Sequence, residues 1–368
     1  MKTIRRLIYG EVLAAVAFVT LGFLSLFFFF DFVEEIQAVS SPRAAGYGLI
    51  HAVSYVCLMI PSHLYELLPI TVLIGTIFVM ARFAQNSEYT ILRTSGLDPW
   101  RALKTLLLLG LGFVLLTFAV GDYVAPVADR TGQLLKARYQ GRLTVGQTGA
   151  WLKEKQRHSQ YAVNVGALAS NGSMRDVRIF EFDSQGFLIS IVQGQSAVPA
   201  KDESWILSQV DRTEFPARST DAGRIERVQM ETFRWPNQIT AEMVSAALLK
   251  PERMSTIDLF GYIRHLQANA QTAQRYEIEF WKKVFYPLSC LVMVVLALPF
   301  AYLHFRSAGI ATYVFGGVMA GISFFLLNNV FGYIGNLQNW EPWITAALPG
   351  MLYSLLSLTA LGWLVFRR

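Results

Sequence analysis

Ala102-Leu-Lys-Thr-Leu-Leu-Leu-Leu-Gly110-Leu-Gly-Phe-Val-Leu-Leu-Thr-Phe-Ala-Val120 carries one charge, Lys104, and after it the apolar character of the chain stops. A membrane-spanning helix needs about 20 consecutive, mostly apolar residues, and this stretch supplies them. No comparable run follows until Val284–Leu303, after which Ile310–Ile334 and Trp343–Phe366 come in quick succession. Upstream, Val12–Phe32 includes Phe27-Phe28-Phe29-Phe30 and is too long and too aromatic for a removable signal segment. Leu49–Met80 exceeds a simple span, and Pro61 and Pro69 divide it, with His63 and Glu66 between them. The expectation there is a helix over Leu49–Leu67 at or near the membrane surface, then a span over Leu68–Phe83.

The fold class is therefore an α-helical membrane protein with six transmembrane helices, three before and three after an inserted all-β, jelly-roll-like domain. The boundaries fall at 1–126, 127–279 and 280–368. Composition agrees. Of the 368 residues, 53% are hydrophobic and 16% charged, whereas a soluble globule carries about 25% charged residues. The 26 Phe, 15 Tyr and 8 Trp exclude a disordered chain. Two cysteines, Cys57 and Cys290, are too few for a disulfide scaffold or zinc ribbon. The net charge of +6 is not gathered as in a nucleic-acid binder; Lys and Arg punctuate the ends of the apolar runs.

Those cations set an orientation. Lys2, Arg5 and Arg6 precede span one; Arg82, Arg93, Arg101 and Lys104 lie between spans two and three; Arg306 follows span four; Arg367 and Arg368 end the chain. The opposite side offers Arg43 alone in its short loops. Both termini are expected in the cytoplasm and the insert on the far side, which in a Gram-negative cell is the periplasm. Within the insert, residues 143–235 alternate β-branched and aromatic residues, as in Tyr161–Val165, Val177–Phe182, Phe187–Val192, Trp205–Val210 and Ile225–Met230. Turns are expected at Asn171-Gly172, Asp183–Gly186 and Lys201–Ser204; the sequon Asn171-Gly172-Ser173 reads as a hairpin turn. Ser255 or Thr256 caps a helical return over about 255–274.

No phosphate-cradling loop, His-Glu-x-x-His helix or Gly-x-Ser-x-Gly elbow is present. The five histidines form no ligand-spaced cluster, so the chemistry of an enzyme finds no residues here. Two features carry information instead. In the loop between spans two and three, Ser87 is placed to N-cap a short helix with Glu88 in its first turn. Gly96 ends that helix, and Asp98-Pro99 starts the next. This helix, about 87–95, presents Ser87, Glu88, Tyr89, Leu92 and Arg93 either as a well-made connector or as a coupling helix for a cytoplasmic motor. Second, Arg130, Lys136, Arg138 and Arg142 follow span three, and Arg275, Lys282 and Lys283 precede span four. They either meet an anionic, phosphate-bearing ligand or snorkel and pair with Asp122, Asp129, Glu277 and Glu279.

Leu68-Pro-Ile-Thr-Val-Leu-Ile-Gly75, Ala84-Gln-Asn-Ser-Glu-Tyr89 with Ser95-Gly96, Gly121-Asp-Tyr-Val-Ala-Pro126, and Phe280-Trp-Lys-Lys-Val-Phe-Tyr-Pro287 with Leu296-Ala-Leu-Pro-Phe300 follow one another in an order that resembles the LptF/LptG permease family, on its LptG side. The resemblance covers nearly the whole chain. It implies a permease subunit of an ABC transporter that extracts lipopolysaccharide and passes it through β-jelly-roll domains to a periplasmic bridge. It further implies an LptF-like permease, an LptB-like ATPase dimer that holds the ATP and magnesium, and an LptC-like bitopic protein as partners. No cofactor is implied on this chain. The family's coupling helix maps onto Ser87–Ser95, with Glu88 at the ATPase. Lysines that the family carries near the end of span one are replaced here by the acidic Asp31-Phe-Val-Glu-Glu-Ile-Gln-Ala38, so headgroup binding is assigned to Arg130, Lys136, Arg138, Lys282 and Lys283. A divalent cation bridging Asp31, Glu34 or Glu35 is the other expectation at that end. Phe27, Phe30, Phe315, Phe324 and Phe325 are candidates for an acyl-chain cavity. The rival function is a mechanotransmitting permease that moves no lipid itself; a membrane-embedded lipid enzyme is the third class.

Overall fold

A computed structural model describes residues 2–39, 46–96, 98–140, 150–156, 159–168, 173–200, 204–216, 225–237, 239, 243–244, 251–302 and 309–366. The expected turns at 171–172 and 201–203, Arg43, Arg142, His158, the loop holding Arg306, and Arg367–Arg368 lie outside the described residues, as does the side chain of Arg138. The chain forms two compact units. The first gathers Met1–Glu34, Met59–Ala128 and Glu277–Arg368; the second gathers Glu35–Leu58 and Asp129–Tyr276.

Among the described residues six stretches are long and apolar enough to cross a membrane. They comprise α1 (Lys2–Val39), α2 (Leu49–Gln85), α4 (Pro99–Ala119) with α5 (Ala125–Gln140), α7 (Gln274–Phe285) with α8 (Ser289–Ala297), α9 (Ile310–Gln338) and α10 (Pro342–Phe366). A short α3 (Glu88–Thr94) joins α2 to α4, and α6 (Thr256–Ala268) precedes α7. The expected division of the second apolar stretch does not occur: α2 runs unbroken through Pro61 and Pro69. Each proline removes one N–H and crowds the carbonyl four residues back, but in a packed bundle neighbouring helices hold such a helix together. The fourth span differs too, starting ten residues before the expected Val284 and breaking at Tyr286–Leu288 into a 3-10 turn.

The first unit is knitted around α2, whose spanning stretch is 83% buried against 11% for α1 and 17% for α9. Small residues allow the approach, as they do in membrane bundles generally. A Cβ on Gly75 would lie 2.8 Å from the Val16 backbone nitrogen of α1, and Cβ atoms on Gly317 and Gly321 of α9 would lie 2.7 and 2.8 Å from Ile77 and Ile70. Buried Thr20 and Thr71 share a 3.0 Å hydrogen bond between α1 and α2, and Arg82 pairs with Glu11 at 2.7 Å.

The second unit holds the expected all-β insert: β1 (Ala150–Lys155), β2 (Gln160–Leu168), β3 (Met174–Phe182), β4 (Leu188–Pro199), β5 (Ser204–Glu214) and β6 (Glu226–Pro236). They form one antiparallel sheet in sequence order, so the described strands make a next-neighbour meander. Leu152, Val163, Ile179 and Val192 stand in one cross-strand row of its core. Alternation breaks at Asp176 and Gln209, both left-handed in φ. The pairing register is the same on either side of both positions, and Met174 and Val177, like Leu207 and Val210, are both buried at a spacing of three. The Asp183–Gly186 turn forms as expected, with Asp183 Oδ1 accepting from the Gln185 and Phe187 amides at 2.8 Å. Ser255 caps α6, accepting from the Asp258 amide at 3.1 Å, but the helix ends at Ala268, short of the expected Gln274.

Candidate functional site

The short helix α3 is built from both ends. Its C-terminus closes on Gly96, at φ +97°, whose amide donates to the Arg93 carbonyl at 3.0 Å while the Ser95 amide donates to Ile91. Asp98 is extended, Pro99 begins α4, and the Ala102 amide returns to the Asp98 carbonyl at 2.9 Å. The N-terminus departs from expectation. Ser87 sits in the left-handed region at φ 57°, and its side chain makes no cap; the first turn is organised instead by Asn86, whose Nδ2 donates to Glu88 Oε1 at 3.2 Å.

A seven-residue helix is too short to be stable alone, and Tyr89 supplies what holds it. The ring is 3% exposed and meets Tyr302 edge-on at 5.0 Å, within a cluster that includes Phe83 and the partly buried Leu92. Arg93 lies over the other side of that anchor, its guanidinium 5.6 Å from the Tyr302 ring. Tyr89 therefore faces the interior and is not presented outward as expected. Helical spacing explains the correction: Tyr89 and Leu92 are three apart on one face, while Ile91 stands about 200° around the helix from Tyr89. Ile91, 62% exposed, and Trp100 at the start of α4, 71% exposed, form the apolar part of the outer surface. Neither was singled out in the sequence, although that same spacing marks Ile91.

The basic candidates with described side chains differ in their surroundings. Lys136 donates to Glu35 at 2.8 Å and lies 4.6 Å from the Tyr55 ring centre. Glu35, 4% exposed, also accepts from Tyr47 at 2.9 Å. Burial, with the Glu35 carboxylate beside it, raises the Tyr47 pKa above its ordinary value and keeps the hydroxyl a donor. His51 completes this corner of the second unit: Nδ1 accepts from the Gly48 amide at 3.1 Å, and Nε2 contacts Tyr139 Oη at 2.7 Å. Lys282 pairs with Glu279 at 2.7 Å. Lys283 is 7% exposed and donates to the Gly121 carbonyl at 2.9 Å, so it points into the bundle and away from any headgroup. Arg130 is exposed. The acidic end of α1 is likewise divided, Asp31 pairing with His63 at 2.6 Å and Glu35 with Lys136. Among the described residues no group of three His, Cys, Asp or Glu side chains is placed to hold a metal ion.

The aromatic candidates separate as well. Phe30 and Phe315 are exposed on α1 and α9, and Phe325 is half-buried. Phe27 packs on the His63 ring at 4.9 Å. Phe324, 2% exposed, is core, stacked on Tyr286 and edge-on to Tyr353, and does not line an open surface.

Comparison with known proteins follows this geometry closely. The profile of the family described as lipopolysaccharide export system permease LptF/LptG matches residues 6–364. The lipopolysaccharide export system permease protein LptG of Escherichia coli strain K12 is 27% identical over 351 residues, 94% of each chain. The protein of that name from Haemophilus influenzae is 25% identical over 371 residues, covering 100% of this chain and 99% of its own.

Proposed function

The chain belongs to the LptF/LptG family of lipopolysaccharide export permeases, and we propose that it is the LptG-type half of an inner-membrane exporter driven by a partner ATPase. In this reading an LptF-like permease completes the membrane part, an LptB-like ATPase dimer binds below, and an LptC-like protein joins alongside. The termini and α3 face the cytoplasm, as the positions of Lys2, Arg5, Arg6, Arg82, Arg93, Arg101 and Lys104 favour. The sheet of the second unit stands in the periplasm.

The observation that carries the reading is α3 itself. A short helix with a fixed C-terminus and one buried anchor, Tyr89, that exposes Ile91 and the neighbouring Trp100 with the half-buried Glu88 beside them, is built to transmit force from a docked protein. The open apolar faces of α1 and α9 support a lipid cavity completed by a second permease, with Phe30 and Phe315 as this chain's contributions. Of the basic candidates with described side chains, Arg130 is the one exposed to a headgroup phosphate. Transport is rigid-body rearrangement around that cavity; the chain performs no covalent chemistry.

The test is co-purification in mild detergent from a Gram-negative membrane with the native neighbours present, followed by mass spectrometry of proteins and lipids. An ATPase, a second six-span permease and lipopolysaccharide together are expected. Glu88→Lys is expected to release the ATPase and leave the chain folded. An ATPase without lipopolysaccharide favours the mechanotransmitting permease; normal ATPase recovery in Glu88→Lys removes α3 as the docking point.

A further inference from the structure

Three prolines lie in three different spans: Pro69 within α2, Pro126 at the start of α5, and Pro287 between α7 and α8. A proline lacks the N–H and crowds the carbonyl four residues back, which here belongs to Tyr65, Asp122 and Lys283. Those positions, with Gly121 next to Asp122, come together. Lys283 Nζ donates to the Gly121 carbonyl at 2.9 Å and lies 5.5 Å from the Tyr65 ring centre. The Tyr65 ring covers Gly121 so closely that a Cβ there would be 2.3 Å from two ring carbons. Tyr65 packs on Tyr286 at 5.1 Å, and the Tyr286 hydroxyl donates to the Glu66 carbonyl.

The backbone explains why a lysine is needed. Between α4 and α5 the chain makes one π turn, Val120–Val124, in which the Ala125 amide reaches back to the Val120 carbonyl. In a regular α-helix that amide would serve Gly121. The next one along belongs to Pro126, which has none. Both local donors are lost to the Gly121 carbonyl, and Lys283 replaces them from another span. An ammonium group buried in a membrane bundle is costly and marks function more often than stability; a Met of similar length would fill the space.

The same residues end the levers that start at α3. Tyr89 packs on Tyr302, at the end of the fourth span, and α4 begins at Pro99, just past α3. From there α4 and α8 run side by side: a Cβ on Gly110 would lie 3.0 Å from Leu291, and Thr117 Oγ1 meets Cys290 Sγ at 3.3 Å. Beyond Thr117 and Cys290 both paths reach irregular backbone, the π turn and the 3-10 turn. Such segments, like proline kinks, are where helices bend.

We infer that this proline-flanked node is a shared hinge of the second, third and fourth spans, and that Lys283 is the positioning residue that makes them bend together when α3 is displaced. The inference rests on the export reading above. It is tested in the whole complex, reconstituted in proteoliposomes containing lipopolysaccharide, by the lipopolysaccharide released per ATP hydrolysed, with Tm and ATPase recovery measured beside it. Lys283→Met and Pro126→Ala are each expected to lower that ratio roughly tenfold or more, within the range of allosteric coupling energies. Tm and ATPase recovery are expected to stay unchanged, and Lys283→Arg, which keeps the charged donor, is expected to restore most of the ratio. Pro126→Ala returns a missing amide and improves helix propensity, so it decides the question even where Lys283→Met fails to fold. A wild-type ratio in Pro126→Ala, or in a folded Lys283→Met, overturns the inference. Absence of release by the wild-type complex would instead refute the export reading.

Discussion

Replacing Tyr89 by alanine separates the anchor of α3 from its docking face. Tyr89 is the one buried residue of this helix. Deleting a buried aromatic side chain costs about 3–5 kcal/mol in transfer and cavity terms. The helix lies at one edge of its unit and has seven residues, so the cost falls on a local opening equilibrium, not on the whole fold. At the lower end, about 3 kcal/mol corresponds to a roughly hundredfold rise in the open population. The assay is amide hydrogen exchange in detergent, read at the Ser95 and Gly96 amides that close α3 onto Ile91 and Arg93. Tyr89→Ala is expected to lower protection there about a hundredfold, to leave the centre of α4 unchanged, and to lose ATPase recovery. Tyr89→Phe, which keeps the ring against Tyr302, is expected to stay within a few-fold of wild type. Wild-type protection in Tyr89→Ala would refute the anchoring argument; equal losses in α3, α4 and α8 would refute its locality.

Three further outcomes follow from contacts described above. Lys136→Met leaves the buried Glu35 carboxylate with Tyr47 as its described partner; a loss of about 1–3 kcal/mol is expected, read as a lower Tm, and Glu35→Gln in the same chain should recover most of it in a double-mutant cycle. Gly75→Val pushes a side chain into the Val16 backbone, which a Cβ would already meet at 2.8 Å; overpacking of about 1–3 kcal/mol is expected, seen as weakened α1 protection in hydrogen exchange, and unchanged protection would mean that α1 is not held through this contact. Burial lowers the His265 pKa below its ordinary value, so below about pH 6.5 the unfolded chain binds a proton that the folded chain resists; α6 is expected to lose protection as pH falls from that value, and His265→Gln to flatten the profile.

The spans were legible because length and apolarity suffice to read them, and the caps at Gly96 and Ser255 because their chemistry is local. What sequence reading missed has two physical causes. Continuity of α2 through Pro61 and Pro69 depends on neighbours that hold a helix a proline would otherwise break. The Glu35–Lys136 pair joins residues 101 apart, and the Lys283–Gly121 bond joins residues 162 apart; no local pattern announces such partners, so the sequence does not show that these two lysines are already engaged within the chain. Tyr89 was a different matter, since helical spacing alone places it with Leu92 and opposite Ile91. In the sheet, the left-handed backbone at Asp176 and Gln209 shifts the alternation at residues that are not glycine.

The measurement that bears most directly on the exporter assignment is ATP-dependent release of lipopolysaccharide from proteoliposomes that contain this chain with its co-purified partners. Release that requires ATP and is lost in Glu88→Lys is the expected result. ATP hydrolysis at the wild-type rate with no lipopolysaccharide released, by a complex shown to contain both permeases, would contradict it.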